Sequence, residues 1–321
     1  MEVESDIVHT PVLLEETIRY LAPRTENELM IDATLGEGGH SLAFLSRFPS
    51  LKIIGIDADV DIQKIARRRL AQFGERIYFY QGWSHDFFAE YPADIKRPDT
   101  ILIDLGISLF HYEKSGRGFS FRKQEALDMR LNSSYGPSAA ELIAKLQEHE
   151  LADLIYQNGE ERFSRRIAKA IVEERSRSRI ETADRLAEII ERAVPASYRR
   201  GPIHPATKTF QALRIAVNGE LERLESLLES ALQVLEIGGL LGVITFHSLE
   251  DRIVKNFFRK KNKECTCPPE SPICTCKGHR VVSLVTKKPV GPSEEEIHRN
   301  PPSRSAKLRV IQKLLEESLS C

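Results

Sequence analysis

Residues 29–41, LMIDATLGEGGHS, combine the features that a nucleotide-type ligand requires. An apolar run of strand character enters a turn holding Gly36, Gly38 and Gly39, and a second run, KIIGIDAD at 52–59, carries Asp57 near its end. Glycines at such a turn let the backbone reverse and approach a ligand closely. An acid at the tip of the second strand can accept hydrogen bonds from two ribose hydroxyls. A further run, at 100–105, contains Asp104 and is followed by Gly106, which leaves room beside it. Ligands of open α/β sheets bind beyond the carboxyl ends of the strands, so Asp104 falls beside the same ligand. The G-E-G-G spacing differs from the dinucleotide pattern G-x-G-x-x-G, which needs another glycine inside the following helix. S-adenosylmethionine needs less: its amino-acid end rests over the turn and its ribose meets the acid. A tight turn without a ligand, and a helix-capping role for Asp104, are the plainer alternatives.

Other segments carry chemistry of a looser kind. Residues 118–132, GFSFRKQEALDMRLN, set Phe119 and Phe121 beside Arg117, Arg122 and Arg130. Rings with interleaved cations suit an unstacked base and its phosphates; a surface loop anchored by two buried phenylalanines is the competing reading. An apolar run at 240–246 leads to His247 and then to RIVKNFFRKKNK, with six cations and no acid. Between residues 160 and 214, 13 Lys or Arg stand against 8 Asp or Glu, in a chain of net charge −1. Such a local excess is the expected footprint of RNA, or more plainly a solvated helix face. Cys265, Cys267, Cys274 and Cys276 form two C-x-C units. Four thiolates can close a tetrahedral zinc site as a structural clip of their loop; free thiols or a redox pair are the alternatives.

To bring Asp57 and Asp104 to one edge, the apolar runs must be parallel strands. Runs of strand length stand at 29–34, 52–57, 77–81, 100–105 and 240–246, with helical patterns at 40–48 and 61–73. This alternation predicts an α/β fold, a mostly parallel sheet with helices on both faces. The alternation stops after 105. Helical patterns follow at 137–148, 150–174 and 182–193, with Leu151, Leu154, Ile155, Ile167, Ile171 and Val172 at helical spacing. No crossover needs that length, so residues 108–202 are expected to be an inserted helical domain. The sheet domain is then discontinuous, 1–107 and 203–321. A long helical pattern at 206–235 stops at Gly238 and Gly239, and residues 281–310 supply the last strand or strands. At 41% hydrophobic and 29% charged residues the composition is that of a globular protein. No run approaches the roughly 20 apolar residues of a membrane span. The acidic start, MEVESDIVHTPVLLEET, lacks the apolar core of a signal peptide. A cytoplasmic protein without a membrane partner is expected.

The motifs HTPVLLEE, DATLGEGGHS, GIDAD, DLGIS, RGFSF, LDMR, TFQALRIAVNGEL, FHSLEDRIVK and PSRSAKLR stand in this order between about residues 9 and 310. In them the chain resembles the bacterial 16S rRNA (cytosine N4)-methyltransferase family of the RsmH or MraW type. The resemblance implies a class I S-adenosylmethionine-dependent methyltransferase fold, a Rossmann-like sheet with an inserted helical domain for substrate recognition. It implies that Gly38, Gly39, His40 and Asp57 contact S-adenosyl-L-methionine. It places a further contact just after the third strand, at Ser84 or the neighbouring Trp83, and others at Asp104 and His111. Relatives usually carry an aromatic residue at the Ser84 position and Gln at the His111 position; His111 keeps the capacity to hydrogen-bond. The implied substrate is a cytosine of 16S rRNA in the small ribosomal subunit. The cysteine pattern has no counterpart in the family's core motifs.

Methyl transfer to the exocyclic N4 requires that the amine be held in line with the sulfonium methyl and that a neighbouring group accept a proton. Asp104 is the first catalytic candidate and His247 the second, while Phe119, Phe121 or Phe246 would hold a base drawn out of its stack. Two other readings use the same residues. One is a methyltransferase acting on a small molecule or a protein, active without RNA. The other is an RNA-binding or assembly protein with a vestigial cofactor site, which retains RNA and transfers no methyl group.

Overall fold

The computed structural model describes residues 10–264 and 280–316. The four clustered cysteines, and with them the expected zinc clip, lie outside these residues. The chain divides into two compact units, one of Met1–Ile107 with Glu222–Cys321, the other of Ser108–Leu221.

The first unit is built on a seven-stranded sheet. Its strands are β1 (Leu29–Asp32), β2 (Lys52–Asp57), β3 (Ile77–Gln81), β4 (Thr100–Asp104), β5 (Leu240–Thr245), β6 (Val282–Leu284) and β7 (Lys307–Lys313). They lie in the order β3-β2-β1-β4-β5-β7-β6. The first five are parallel, and β7 runs antiparallel between β5 and β6. Strands β1 and β5 are buried along their whole length. Covered on both faces, they read as continuous apolar runs rather than alternating ones.

Successive side chains still part to opposite faces. Ile31, Ile101, Ile103 and Val243 pack on one face against Leu228 and Ala231 of helix Glu220–Val234 and Val254 and Phe257 of helix Ser248–Lys261. Met30, Ile53, Leu102 and Ile244 pack on the other against Leu21 of helix Leu14–Leu21, Phe44 of helix Gly39–Arg47 and Leu70 of helix Val60–Leu70. The first strand ends at Asp32 and not at Thr34. Beyond Asp32 the chain leaves β-pairing for the turn, where Ala33 N–H donates to the Leu102 carbonyl and Leu35 N–H to that of Ile56, both at 2.8 Å. Residues 10–13 are joined to residues 296–300. Leu13 N–H donates to Glu296 Oε1 at 2.7 Å, and the Asn300 side chain donates to the Thr10 carbonyl at 3.1 Å.

The second unit is helical. Its longer helices are Glu148–Gly159, Ser164–Arg175, Ala183–Ala193 and Thr207–Asn218, with Leu151, Ile155, Ile167, Ile171, Leu186, Ile190 and Leu213 buried. The single helix suggested by 150–174 is broken at Glu160, whose φ of 48° ends the first helix in the left-handed region. The run at 206–235 is divided at Gly219, φ 60°, a C-terminal cap glycine. The return to the sheet unit falls at 222 rather than the expected 203. Helix Thr207–Asn218 packs on helix Glu148–Gly159 so closely that a Cβ on Gly159 would lie 2.5 Å from the Lys208 carbonyl oxygen. Among the described residues no helix is long and apolar enough to cross a membrane.

The closeness of sheet and helix at β5 is testable. A Cβ on Gly242 would stand 2.6 Å from Leu21 Cδ1. Gly242→Ala is expected to lower the unfolding free energy by about 1–3 kcal/mol through overpacking, read as a lower urea midpoint.

Candidate active site

Because β1 lies between β2 and β4, the carboxyl ends of these three strands bring Asp32, Asp57 and Asp104 to one edge of the sheet. Backbone N–H groups of the surrounding turns hold each of them. Asp57 accepts from Gly36 N–H through Oδ2 and from Asp59 N–H through Oδ1, both at 2.8 Å. Gly36 takes a φ of 52°, which a side chain would oppose, and so turns its N–H toward the acid. Asp104 accepts from Gly106 N–H at 3.3 Å, and its own N–H donates to the Thr34 hydroxyl at 2.6 Å. Asp32 accepts from the Ser41 hydroxyl at 2.7 Å.

Burial raises the Asp32 carboxyl from the ordinary aspartate range to about 6, against the lowering effect of Ser41 and Thr34. Asp104 is pushed further, to about 7, by burial first and then by the negative fields of Asp32 and Glu250. An edge where carboxyl groups resist ionisation calls for a positive partner. The sulfonium and ammonium of S-adenosylmethionine have the required sign, and the acids at the tips of β1, β2 and β4 fit that group.

His40 adds a proton-handling group. Its Nε2 lies 3.1 Å from the Val12 carbonyl, an acceptor, so Nε2 carries a hydrogen. In the neutral ring Nδ1 is then a lone pair, and it faces Asp104 Oδ2 at 3.9 Å. Gly38 and Gly39 are required by the protein itself. At Gly38, φ 76°, a Cβ would lie 2.8 Å from Leu70, and at Gly39 it would lie 2.5 Å from Pro11. Ser84 opens the helix after β3 and its hydroxyl donates to the Ala33 carbonyl, tying this helix to the glycine turn. The Trp83 ring has the Arg223 guanidinium 4.9 Å from its centroid.

His247 and Phe246 follow β5. Glu250 is buried, accepts from Phe246 N–H at 2.8 Å and His247 N–H at 3.2 Å, and lies 3.0 Å from His247 Nε2. The imidazole Nδ1 accepts from Glu250 N–H at 3.4 Å and so caps the N-terminus of helix Ser248–Lys261. The Phe246 ring covers Gly106, where a Cβ would meet it at 2.5 Å. His111 belongs to the helical unit, where it is buried with its ring edge-to-face on Phe119 at 5.2 Å.

The expected stacking pair in residues 118–132 takes a different form. Phe119 is only 5% exposed and serves as a core anchor. Phe121 is stacked on His204 at 4.4 Å. Arg130 is paired with Asp128, and Arg117 donates to the carbonyls of Arg130 and Leu131. Sequence reasoning missed Asp32 and Glu250. The signal for Asp32 was an acid closing an apolar strand directly before a glycine turn.

Sheets in this order, with an antiparallel strand inserted next to the last and acids at the tips of β1, β2 and β4, define the class I S-adenosylmethionine-dependent methyltransferases, and this protein is one. Within that class the chain belongs to the MraW methylase family, whose model matches residues 6–314. It is 58% identical to the protein named ribosomal RNA small subunit methyltransferase H of Treponema denticola, over 96% of this chain and 98% of that one. It is 46% identical to the protein of that name from Symbiobacterium thermophilum, over 95% and 96%. Among solved structures, an rRNA methylase from Streptococcus thermophilus matches at a TM-score of 0.41 and 12% identity, over 96% of this chain and 100% of that one.

The raised Asp104 carboxyl makes stability depend on pH. Its folded-state value, about 7, lies above the unfolded value of 3.8, so the folded chain holds this proton more tightly. That contribution is complete below pH 4 and is lost as pH rises to 7. Asp104→Asn removes the loss. The variant is expected to match the parent in urea stability at pH 4 and to exceed it at pH 8, by on the order of 2 kcal/mol.

Proposed function

We propose that this protein transfers a methyl group from S-adenosyl-L-methionine to the exocyclic N4 of a cytosine in 16S rRNA, acting in the cytoplasm on the small ribosomal subunit. The observation that carries the reading is the trio of strand-tip acids around a glycine turn, in a chain 58% identical to a ribosomal RNA small subunit methyltransferase H. Asp57, held in place by the N–H groups of Gly36 and Asp59, accepts the ribose hydroxyls. Gly38, Gly39 and His40 form the floor under the amino-acid end, and Ser84 with Trp83 borders the adenosine side. His111 supplies a further polar contact. The helical unit recognises the RNA around the target.

When bound, S-adenosylmethionine supplies a methyl group on a positively charged sulfur. The cytosine amine is a weak nucleophile because its lone pair is delocalised into the ring, so positioning carries most of the work; it can lower the barrier by about 7–11 kcal/mol. Asp104 accepts one amine hydrogen and turns the lone pair toward the methyl carbon. Once methylated, the nitrogen would shed its proton to Asp104. A carboxyl near 7 suits a group that must gain and release a proton at neutral pH. The Nδ1 lone pair of His40 provides the next acceptor. Phe246, half-buried over Gly106, offers its ring to the extruded base, and the neighbouring His247 is fixed by Glu250.

The test is incubation with labelled S-adenosylmethionine and, separately, small ribosomal subunits, protein-free 16S rRNA and protein extract. Nucleoside analysis by mass spectrometry is expected to place the label on N4 of one cytosine. Label confined to protein would overturn the reading. Asp57→Ala is expected to weaken cofactor binding by about 10- to 100-fold in calorimetry, the loss of charge-assisted hydrogen bonds. Asp104→Asn is expected to lower kcat by about 100-fold or more with both substrates saturating.

A further inference from the structure

We infer that the helical unit carries a docking surface for the phosphates of single-stranded RNA, formed by Arg162, Arg165, Arg166, Arg199 and Arg200. The inference rests on reading the protein as an RNA methyltransferase and names the part of the unit that meets the polyanion.

The surface is organised by a buried acid. Glu161 is fully buried; its Oε1 accepts from Phe163 N–H at 2.8 Å and its Oε2 from the Tyr198 hydroxyl at 2.6 Å. The Phe163 and Tyr198 rings meet edge-to-face at 4.9 Å. The Arg162 guanidinium lies 4.8 Å from the centroid of the first ring and 5.1 Å from that of the second. This knot sets the start of helix Ser164–Arg175 beside the short helix Ala196–Arg199. Arg165 and Arg166, two and three residues beyond Phe163, are thereby brought near Arg199 and Arg200, which directly follow Tyr198. All five arginines are exposed.

Their charges stay uncompensated. None of the five takes part in an ion pair among the described residues, although Arg199 donates to the Val194 carbonyl. Several other cations of the unit are matched: Arg185 with Glu174 and Glu188, Arg192 with Glu188, and Arg214 with Glu220. Of the two acids preceding Arg162, Glu161 faces inward and is occupied, and only Glu160 is exposed. The first turn of helix Ser164–Arg175 holds two arginines and no acid. That arrangement opposes the helix dipole and costs a few tenths of a kcal/mol each. Residues that work against local stability mark a surface kept for binding. Guanidinium forks match phosphate oxygens, and half-buried rings among them tolerate any base. The partner with this chemistry is an unpaired stretch of RNA.

The full-length protein is tested with protein-free 16S rRNA, measuring affinity against salt together with methyl transfer. In R165A/R166A/R200A, loss of three phosphate contacts should reduce the slope of log affinity against log salt by about 2. The KM for RNA should rise by about tenfold or more, with no matching fall in kcat. The melting temperature should hold or rise, because the helix loses two cations from its first turn. R192A, which removes a paired cation from helix Ala183–Ala193, should leave the slope at the parental value. R200A alone lies outside both longer helices and should reduce the slope by about 0.7, which keeps the test decisive if the triple variant unfolds. An unchanged slope in both variants overturns the inference. So does a loss of affinity seen with assembled subunits but absent with protein-free RNA, which would assign the surface to an acidic ribosomal protein. Failure of the parent to methylate any RNA would instead overturn the reading of the enzyme itself.

Discussion

Three carboxyl groups held close together in a poorly solvated edge are the constraint around which the sheet unit is arranged. Parallel strands put Asp32, Asp57 and Asp104 at neighbouring tips; Asp57 makes Asp32 harder to ionise, and Asp32 does the same to Asp104. The fold answers with oriented backbone dipoles. The N–H groups of Gly36, Asp59 and Gly106 point at carboxylate oxygens, and this is why the turns there bend as they do. Such donors soften the repulsion without supplying a full positive charge. The edge is thus prepared for a cation, and a methyl donor whose leaving sulfur becomes neutral gives up that attraction once the reaction is over.

Packing supports the same edge from behind. The glycines of the turn are usually regarded as room for a ligand, yet Gly38 and Gly39 are pressed against Leu70 and Pro11. The turn is held rigidly by contacts on its far side, which leaves its near side dependable. A comparable logic joins β4 and β5, where the missing side chain of Gly106 admits the ring of Phe246. The cofactor edge and the Phe246 ring therefore meet at one glycine.

Much of this was legible in the chain. Continuous apolar runs marked β1, β2, β4 and β5, because strands buried on both faces leave no polar alternation to confuse them. Asp57 and Asp104 were legible because each closes such a run. Other features were hidden for physical reasons. Strand β6 has three residues, too few to show a period. The break at Glu160 uses a left-handed non-glycine residue, which carries no compositional mark. Phe119 and Phe121 are equivalent in sequence, and only tertiary packing makes the first an anchor and the second a partner of His204. The division of the helical unit's arginines into paired and unpaired sets depends on which acids fold inward, as Glu161 does.

The hydrogen bond from Leu13 to Glu296, with that from Asn300 to Thr10, ties the segment that carries Val12 to residues near 300. Val12 supplies the carbonyl that fixes the His40 tautomer, so the proton arrangement at Asp104 depends on a segment fastened by residues near 300. A nascent chain that has emerged only as far as β5 already owns every strand-tip acid. It still lacks the clasp that orients the imidazole. The strand-tip acids and the clasp that orients the imidazole beside one of them are thus supplied from distant stretches of the chain.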